Sequence, residues 1–297
     1  TMARIIGSPS RYIQGKGTLA EITKYTERLG KKLLILVSKS GKKRVEEKIN
    51  KAVEGTDTTV VWEIFNGECS KSEVNRIGEN LKKEKCDVVV GIGGGKILDT
   101  AKAVAYYEDI AVVCVPTAAS TDAPCSALSV LYTDDGQFDE YLWLPANPDI
   151  ILLDTDIIVA APVRLIVSGM GDALATYFET RACMRSNTTS CMGGSVSKTA
   201  MALSELCFKT LMEDGAKALL AVNAGACTPA VENIIEANTY LSGIGFESGG
   251  IAAAHAIHNG LTCIEETHGM YHGEKVAFGV LSQLVLENVS TEDLEEV

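Results

Sequence analysis

Between residues 30 and 155, short apolar runs rich in β-branched residues alternate with stretches of helical period. The strand-like runs are Leu33–Ser38, Thr59–Phe65, Asp87–Ile92, Ala111–Val115 and Asp149–Leu153. Helical patterns near 41–53, 70–85 and 95–107 separate the first four. This β-α-β-α order predicts a mostly parallel sheet with helices on both faces. The segment Ser126–Leu144 departs from it: two runs, ALSVLYT and FDEYLWL, flank Asp134-Asp135-Gly136, a turn signal for a hairpin beside the ligand cleft. The pattern changes again after Ala161-Pro162. From Arg164 onward there is one proline, Pro229, and long helix-compatible runs rich in Ala, Leu, Glu and Met, so an all-helical second domain is expected over 161–297.

Composition narrows the class. A 297-residue chain that is 46% apolar can bury the cores of two domains. It has no apolar run of the roughly 20 residues that a membrane helix needs, and TMARIIGSPSRYIQG lacks the apolar centre of a secretory signal. Nine cysteines without a CxxC pair fit reduced thiols and a cytoplasmic location better than a disulfide framework. The net charge is −12, and residues 161–297 hold only seven basic side chains against 16 acidic ones. An acidic chain without a basic stripe argues against nucleic acid as the main partner.

Two places carry chemistry. In DVVVGIGGGKILDTAKAVA a buried strand runs into glycines 91, 93, 94 and 95 and then a helix. Glycine lets backbone N–H groups approach an anion, and a helix N-terminus adds partial positive charge, so a pyrophosphate fits this turn. Asp99 and Thr100 are expected in the first helical turn, serving a ribose or supporting the helix end. The strict GxGxxG spacing is broken by Lys96, and a tight turn that binds nothing would look the same. The next junction, VPTAASTDAPCSALSV, offers Thr117, Ser120 and Ser126 as donors at the carboxyl end of a parallel strand, with Asp122 its one charged side chain. An Asx turn before Pro124 would use Asp122 equally well.

The second place is histidine-rich. All four histidines, His255, His258, His268 and His272, lie within 18 residues. On a helix, His255 and His258 would be about 60° apart around the axis. His272, beyond Gly269 and at the start of another helix, can converge with them if the helices pack. A carboxylate is still needed, and Asp172, in the glycine-flanked GMGD ahead of a further helix, is the best donor, although a helix N-cap explains it too. One carboxylate and two imidazoles with an open position describe a catalytic zinc better than a structural one. His258 and His268 are expected to support the site or face solvent.

GIGGGKILDTAKAV, VPTAASTDAPCSALSVLY, APVRLIVSGMGDALATYFETRA, GFESGGIAAAHAIHNGLT and YHGEKVAFG together closely resemble the glycerol dehydrogenases of the iron-containing alcohol dehydrogenase superfamily. The resemblance implies an α/β N-terminal dinucleotide-binding domain over 1–160 and a helical metal- and substrate-binding domain over 161–297. That is a dehydroquinate synthase-like architecture, with zinc in the cleft, NAD as cofactor and a homo-oligomeric assembly. Carried over by position, it implies metal ligands at Asp172, His255 and His272. It implies cofactor contacts at Ser38, Gly94, Gly95, Lys96, Asp99, Thr117, Ser120, Ser126, Leu128 and Tyr132. The substrate is expected to be a polyol, with Asp122 orienting it and Phe246 as an apolar wall; Asp122 and His255 are the expected catalytic residues. Relatives of the iron type carry a histidine four residues after the first aspartate, where this chain has Thr176, and that difference favours zinc.

Two features depart from the family pattern. Ser38-Lys39-Ser40 stands where an aspartate usually holds the adenosine ribose, so NADP stays open beside NAD. Family members also continue for several dozen residues past Val297. Three other readings compete. A dehydroquinate-synthase-like lyase and a glycerol-phosphate dehydrogenase would both need more basic residues in 161–297 than the chain has. A binding protein that keeps the fold without the activity would need neither motif intact.

Overall fold

The near-continuous apolar runs KLLILV and VVVGIG become strands β2 (Lys32–Val37) and β4 (Val88–Gly93), buried almost throughout, as strands covered on both faces must be. The computed structural model describes residues 2–297. The remaining strands are β1 (Arg11–Gly15), β3 (Thr59–Ile64), β5 (Ala111–Pro116), β6 (Leu128–Tyr132), β7 (Phe138–Trp143) and β8 (Ile150–Asp154). Helices in this half are α1 (Ile22–Thr26), α2 (Lys39–Val53), α3 (Lys71–Glu84), α4 (Gly95–Glu108) and α5 (Thr155–Val159). The later helices are α6 (Val163–Ser186), α7 (Lys198–Asn223), α8 (Pro229–Glu236), α9 (Ser242–Gly249), α10 (Ala253–Leu261), α11 (His272–Leu286) and α12 (Thr291–Glu296). This is the α/β-then-helical class that the alternation predicts.

The chain forms two units. Residues 9–118 and 123–160 make the α/β unit; residues 2–8, 119–122 and 161–297 make the helical one. In the first, six parallel strands lie in the order β1-β8-β5-β4-β2-β3. From β2 the chain moves one way to β3, then returns and builds β4, β5 and β8 the other way. The reversal falls between the carboxyl ends of β2 and β4, where Val37 stands opposite Ile92. Open α/β sheets hold ligands outside such a switch point. Ser38 and the glycines after β4 are the residues that leave the sheet there. Strand β1 was not expected: RYIQG is too short and mixed to read as buried, and it pairs with β8 as a partly exposed edge.

The hairpin forms as a separate two-stranded sheet of β6 and β7, with Gly136 at φ +86° in its turn. Its root is held by Lys102 of α4, a lysine only 1% exposed. The ammonium donates to the carbonyls of Ala123 (2.8 Å) and Leu128 (3.1 Å), and lies 3.3 Å from Asp99 Oδ1 and 3.4 Å from Ser126 Oγ.

In the helical unit, small residues set how closely helices approach. A Cβ at Gly169 would lie 1.9 Å from the Ala119 carbonyl oxygen, and one at Gly273 would lie 1.6 Å from that of Ser168. At Gly245 it would meet Thr176 Cγ2 at 2.5 Å, and at Gly279 the Ala254 carbonyl oxygen at 2.4 Å. Backbones therefore touch directly where α6 meets α11 and where α10 meets α11, and where α6 meets α9 the Thr176 methyl rests on the Gly245 backbone. Helices α8 and α9 are continuous through a π-helical turn, Ala237–Leu241. Asn238 in that turn donates to the carbonyls of Ala119 (3.0 Å) and Ile166 (3.1 Å), which draws residues 119–122 into the helical unit. Among the described residues no disulfide forms, and no helix is long and apolar enough to cross a membrane.

Candidate functional site

Asp172 does not start a helix. It lies in the middle of α6, fully buried, and the two glycines before it that suggested a turn, Gly169 and Gly171, serve close packing instead. Two helical turns further on, seven residues along the same face, stands Glu179, also fully buried. His255 projects from α10 and His272 begins α11. His272 Nε2 lies 3.0 Å and His255 Nε2 3.5 Å from the same oxygen, Asp172 Oδ1. One donor atom from each of the three residues falls within 4.8 Å of the others. The linear order keeps the aspartate some 80 to 100 residues from its partners (|i−j| = 100 for His272), and helix packing closes that gap.

Glu179 went unnoticed in the sequence. Its Oε2 accepts from His255 Nδ1 at 2.6 Å, while Oε1 accepts the backbone N–H groups of Ala252 (2.8 Å) and His255 (2.9 Å). A carboxylate offers only acceptors, so Glu179 fixes a proton on Nδ1, and Nε2 is the ring nitrogen turned to Asp172. The signal that could have revealed Glu179 is its seven-residue spacing from Asp172 on a helix that also carries Thr176 at the intervening turn. His272 is held from the outside: Arg164 binds Glu274 through two contacts, 2.6 and 2.8 Å, and lies over the Tyr271 ring at 4.6 Å, pinning the start of α11.

The electrostatics call for positive charge at this point. Burial pushes the Asp172 carboxyl upward, but His272 and His255 outweigh it and hold the group well below the usual carboxylate range. Burial lowers His255, yet Glu179 and Asp172 raise it well above an ordinary histidine. Asp122 is raised well above its usual range by burial and by the charge of Asp172 beside it. Among the described residues no lysine or arginine pairs with Asp172, Glu179 or Asp122. A buried acidic group facing two imidazole nitrogens, with no lysine or arginine paired to it, suits a divalent metal, so the residues fit the ion that the sequence implies.

Asp122 joins the same unit. Its backbone N–H donates to Asp172 Oδ2 at 3.1 Å and its Oδ2 accepts from Ser242 Oγ at 2.6 Å. Phe246, half-buried on α9, lies one turn beyond Ser242. His258 packs its ring 4.2 Å from that of His272, and burial together with His272 lowers its pKa to about 4. His268 is exposed and contacts the Thr262 carbonyl at 3.1 Å.

In the α/β unit, Gly94 caps α4 and Gly95 begins it; at both, nothing lies within 4 Å of where a Cβ would stand, so the backbone is open to an approaching group. Gly91 has a different reason to lack a side chain, since a Cβ there would strike Ala101 at 2.7 Å. Lys96 pairs with Glu68 at 2.8 Å and sits 5.4 Å from the Tyr132 ring. Ser38 caps α2, accepting from Gly41 N. Thr117 N donates to Gly93 O at 3.2 Å, joining the two loops. Asp99 lies more than one turn into α4 and faces the hairpin: Oδ2 accepts from Val130 N at 3.0 Å and Oδ1 faces Lys102. Ser126 and Leu128 share that lysine, whereas Ser120 belongs to the helical unit.

Residues 9–155 match the family described as Iron-containing alcohol dehydrogenase. The chain is 51% identical over 296 residues to the glycerol dehydrogenase of Escherichia coli O6:H1, covering 100% of this chain and 81% of that protein. It is 52% identical to that of Thermotoga maritima, covering 97% of this chain and 79% of that one. The chain belongs to the iron-containing alcohol dehydrogenase family. The crystal structure of glycerol dehydrogenase from Schizosaccharomyces pombe superposes on it with a TM-score of 0.94 at 42% identity, over 99% of this chain and 75% of that one. As a member of the family, this chain is an oxidoreductase, and the parallel sheet followed by helices is the family fold.

Proposed function

We propose that this chain oxidises glycerol, or a similar vicinal diol, to the ketone, with NAD as hydride acceptor and zinc as its metal. The observation that carries this reading is the convergence of Asp172, His255 and His272 on one point in a chain about half identical to proteins named glycerol dehydrogenase. When bound, a divalent cation with three protein ligands acidifies a hydroxyl that coordinates it, and the nicotinamide takes the hydride.

The chain's own residues do the rest. Asp172 supplies the negative charge that holds the cation. Glu179 keeps the His255 Nδ1 proton on the far side, so Nε2 can ligate. Asp122 orients the second hydroxyl of the diol, and Phe246 forms an apolar wall. Gly94, Gly95 and Lys96 receive the pyrophosphate at the start of α4, where backbone N–H groups converge. Ser38 lies at the adenosine end, with Thr117, Ser120, Ser126, Leu128 and Tyr132 completing the cofactor contacts. A cytoplasmic homo-oligomer agrees with the family, and no surface recommends nucleic acid or membrane.

The test is absorbance at 340 nm with glycerol and NAD before and after treatment with a chelator. The expected result is loss of NADH formation on chelation and its return with zinc. Undiminished turnover by metal-stripped protein would remove the ion from the mechanism, and absence of any glycerol-dependent signal would remove the substrate.

One observation favours NADP as a second acceptor. The switch-point residue after β2 is Ser38, and the following Lys39-Ser40 brings a cation and no carboxylate to repel a 2′-phosphate. Aspartate caps a helix as well as serine does, so Ser38→Asp should leave the melting temperature unchanged. It should lower the NADP-to-NAD ratio of kcat/KM by about tenfold, the effect of roughly 1.4 kcal/mol of added repulsion. An unchanged ratio would show that this position does not read the ribose.

A further inference from the structure

One turn after Asp172 on α6 stands Thr176, and its hydroxyl has a specific partner. Thr176 Oγ1 lies 2.7 Å from Ser242 Oγ, and Ser242 Oγ lies 2.6 Å from Asp122 Oδ2. Thr176 is 1% exposed, Ser242 0% and Asp122 6%. We infer that Thr176 and Ser242 form a positioning pair for Asp122, fixing the orientation of the carboxyl that meets the polyol. This rests on the reading of Asp122 as the group that orients the substrate.

Each hydroxyl has one proton. Ser242 donates its proton to Asp122, so the short contact with Thr176 is completed by the threonine proton. The polarity therefore runs from Thr176 to Ser242 to Asp122. The fold has three features that bring these groups together. Thr176 lies one turn after Asp172 on α6, which puts it on the face that carries the ligand. Gly245, one turn after Ser242, lets α9 close on α6 until the Thr176 methyl occupies the space a Cβ would need. The π turn at Ala237–Leu241 inserts an extra residue per turn just before Ser242 and so resets which side of the helix faces α6. Among the described residues no other hydroxyl or amide side chain donates to the Asp122 carboxyl.

Neither side chain of the pair ligates the metal, and both act on the substrate through Asp122. Thr176→Val keeps the shape and the methyl on Gly245 but puts a methyl against Ser242 Oγ; Thr176→Ser keeps the hydroxyl; Ser242→Ala removes the donor. Losing a buried hydrogen bond in this chain should raise the KM for glycerol about tenfold in Thr176→Val and at least that much in Ser242→Ala. The kcat should stay within about threefold and metal content by mass spectrometry should match the parent, because an interaction that orients bound substrate acts mainly on binding. Thr176→Ser should restore the parent KM. In the double variant, Thr176→Val should add nothing to Ser242→Ala, because its effect passes through the missing hydroxyl.

A readout independent of turnover is the rise in melting temperature that glycerol gives the metal-loaded protein, which should shrink in Thr176→Val and Ser242→Ala alike. Parent-like KM in both single variants, additive losses in the double variant, or loss of metal from Thr176→Val would each overturn the inference. If the parent protein oxidises glycerol but Asp122→Asn leaves KM unchanged, the pair has no substrate group to position and the inference falls alone. If the parent does not oxidise glycerol at all, the functional reading falls first.

Discussion

Asp172→Asn should strip the protein of its metal and lower glycerol oxidation on the order of a thousandfold or more, the loss expected when Lewis-acid assistance worth several kcal/mol disappears. The substitution changes one oxygen for an amide of the same size, so the middle of α6 keeps its shape. What it removes is the charge that draws two imidazoles to within 3.0 and 3.5 Å of Asp172 Oδ1. With only two neutral nitrogens left, a divalent ion has too few donors to be held. Metal analysis beside the 340 nm assay distinguishes the outcomes. Retained metal with retained turnover would show that the Asp172 carboxylate is not needed to hold the ion. A folded protein by circular dichroism is the control that makes the loss interpretable.

Gly273→Ala should be among the most destabilising single changes in the helical unit. The added methyl would stand 1.6 Å from the Ser168 carbonyl oxygen and 2.5 Å from its carbon, both backbone atoms of α6 that cannot rotate away. Helix α11 must shift or α6 must bend. Overpacking of this kind costs about 3 kcal/mol, which corresponds to a fall of about 10 °C in melting temperature for a domain of this size. The adjacent His272 moves with the helix, so metal affinity should drop in the same variant. Gly260→Ala is the matched control: nothing lies within 4 Å of its would-be Cβ. It should be neutral or slightly stabilising, as alanine suits a helix better than glycine. Equal melting temperatures for the two variants would show that α6 and α11 are not held in the tight contact described.

Much of the architecture was legible in the chain because it follows short-range rules. Buried parallel strands leave unbroken apolar runs, and all five expected strands form within a residue of their expected ends. The Asp134-Asp135-Gly136 turn sets its own hairpin. The clustered histidines marked α10 and α11 because His255 and His272 sit on adjacent elements of the chain. What was not legible depends on packing between distant segments. Asp172 looked like a helix start because closely spaced glycines such as Gly169 and Gly171 usually mark turns; their actual use, contact with Ala119 and Gly273 backbone, involves residues 50 and 102 positions away. Glu179, Thr176 and Ser242 are ordinary helix residues in one dimension and acquire meaning only from what α10 and α9 place opposite them. Asp99, expected at the first helical turn, lies beyond it and is engaged by Val130 and Lys102. β1 escaped notice because an edge strand has no need of a continuous apolar run.

The buried ammonium of Lys102 has a consequence for how a nucleotide would meet this protein. Gathering carbonyls from Ala123 and Leu128 is work that loops elsewhere leave to a captured monovalent ion. Here the cation is tethered by its own side chain, so the loop needs no salt to take its shape and does not wait for a guest to order it. Association at that rim should accordingly be insensitive to the choice of sodium or potassium, with little ordering entropy to set against it.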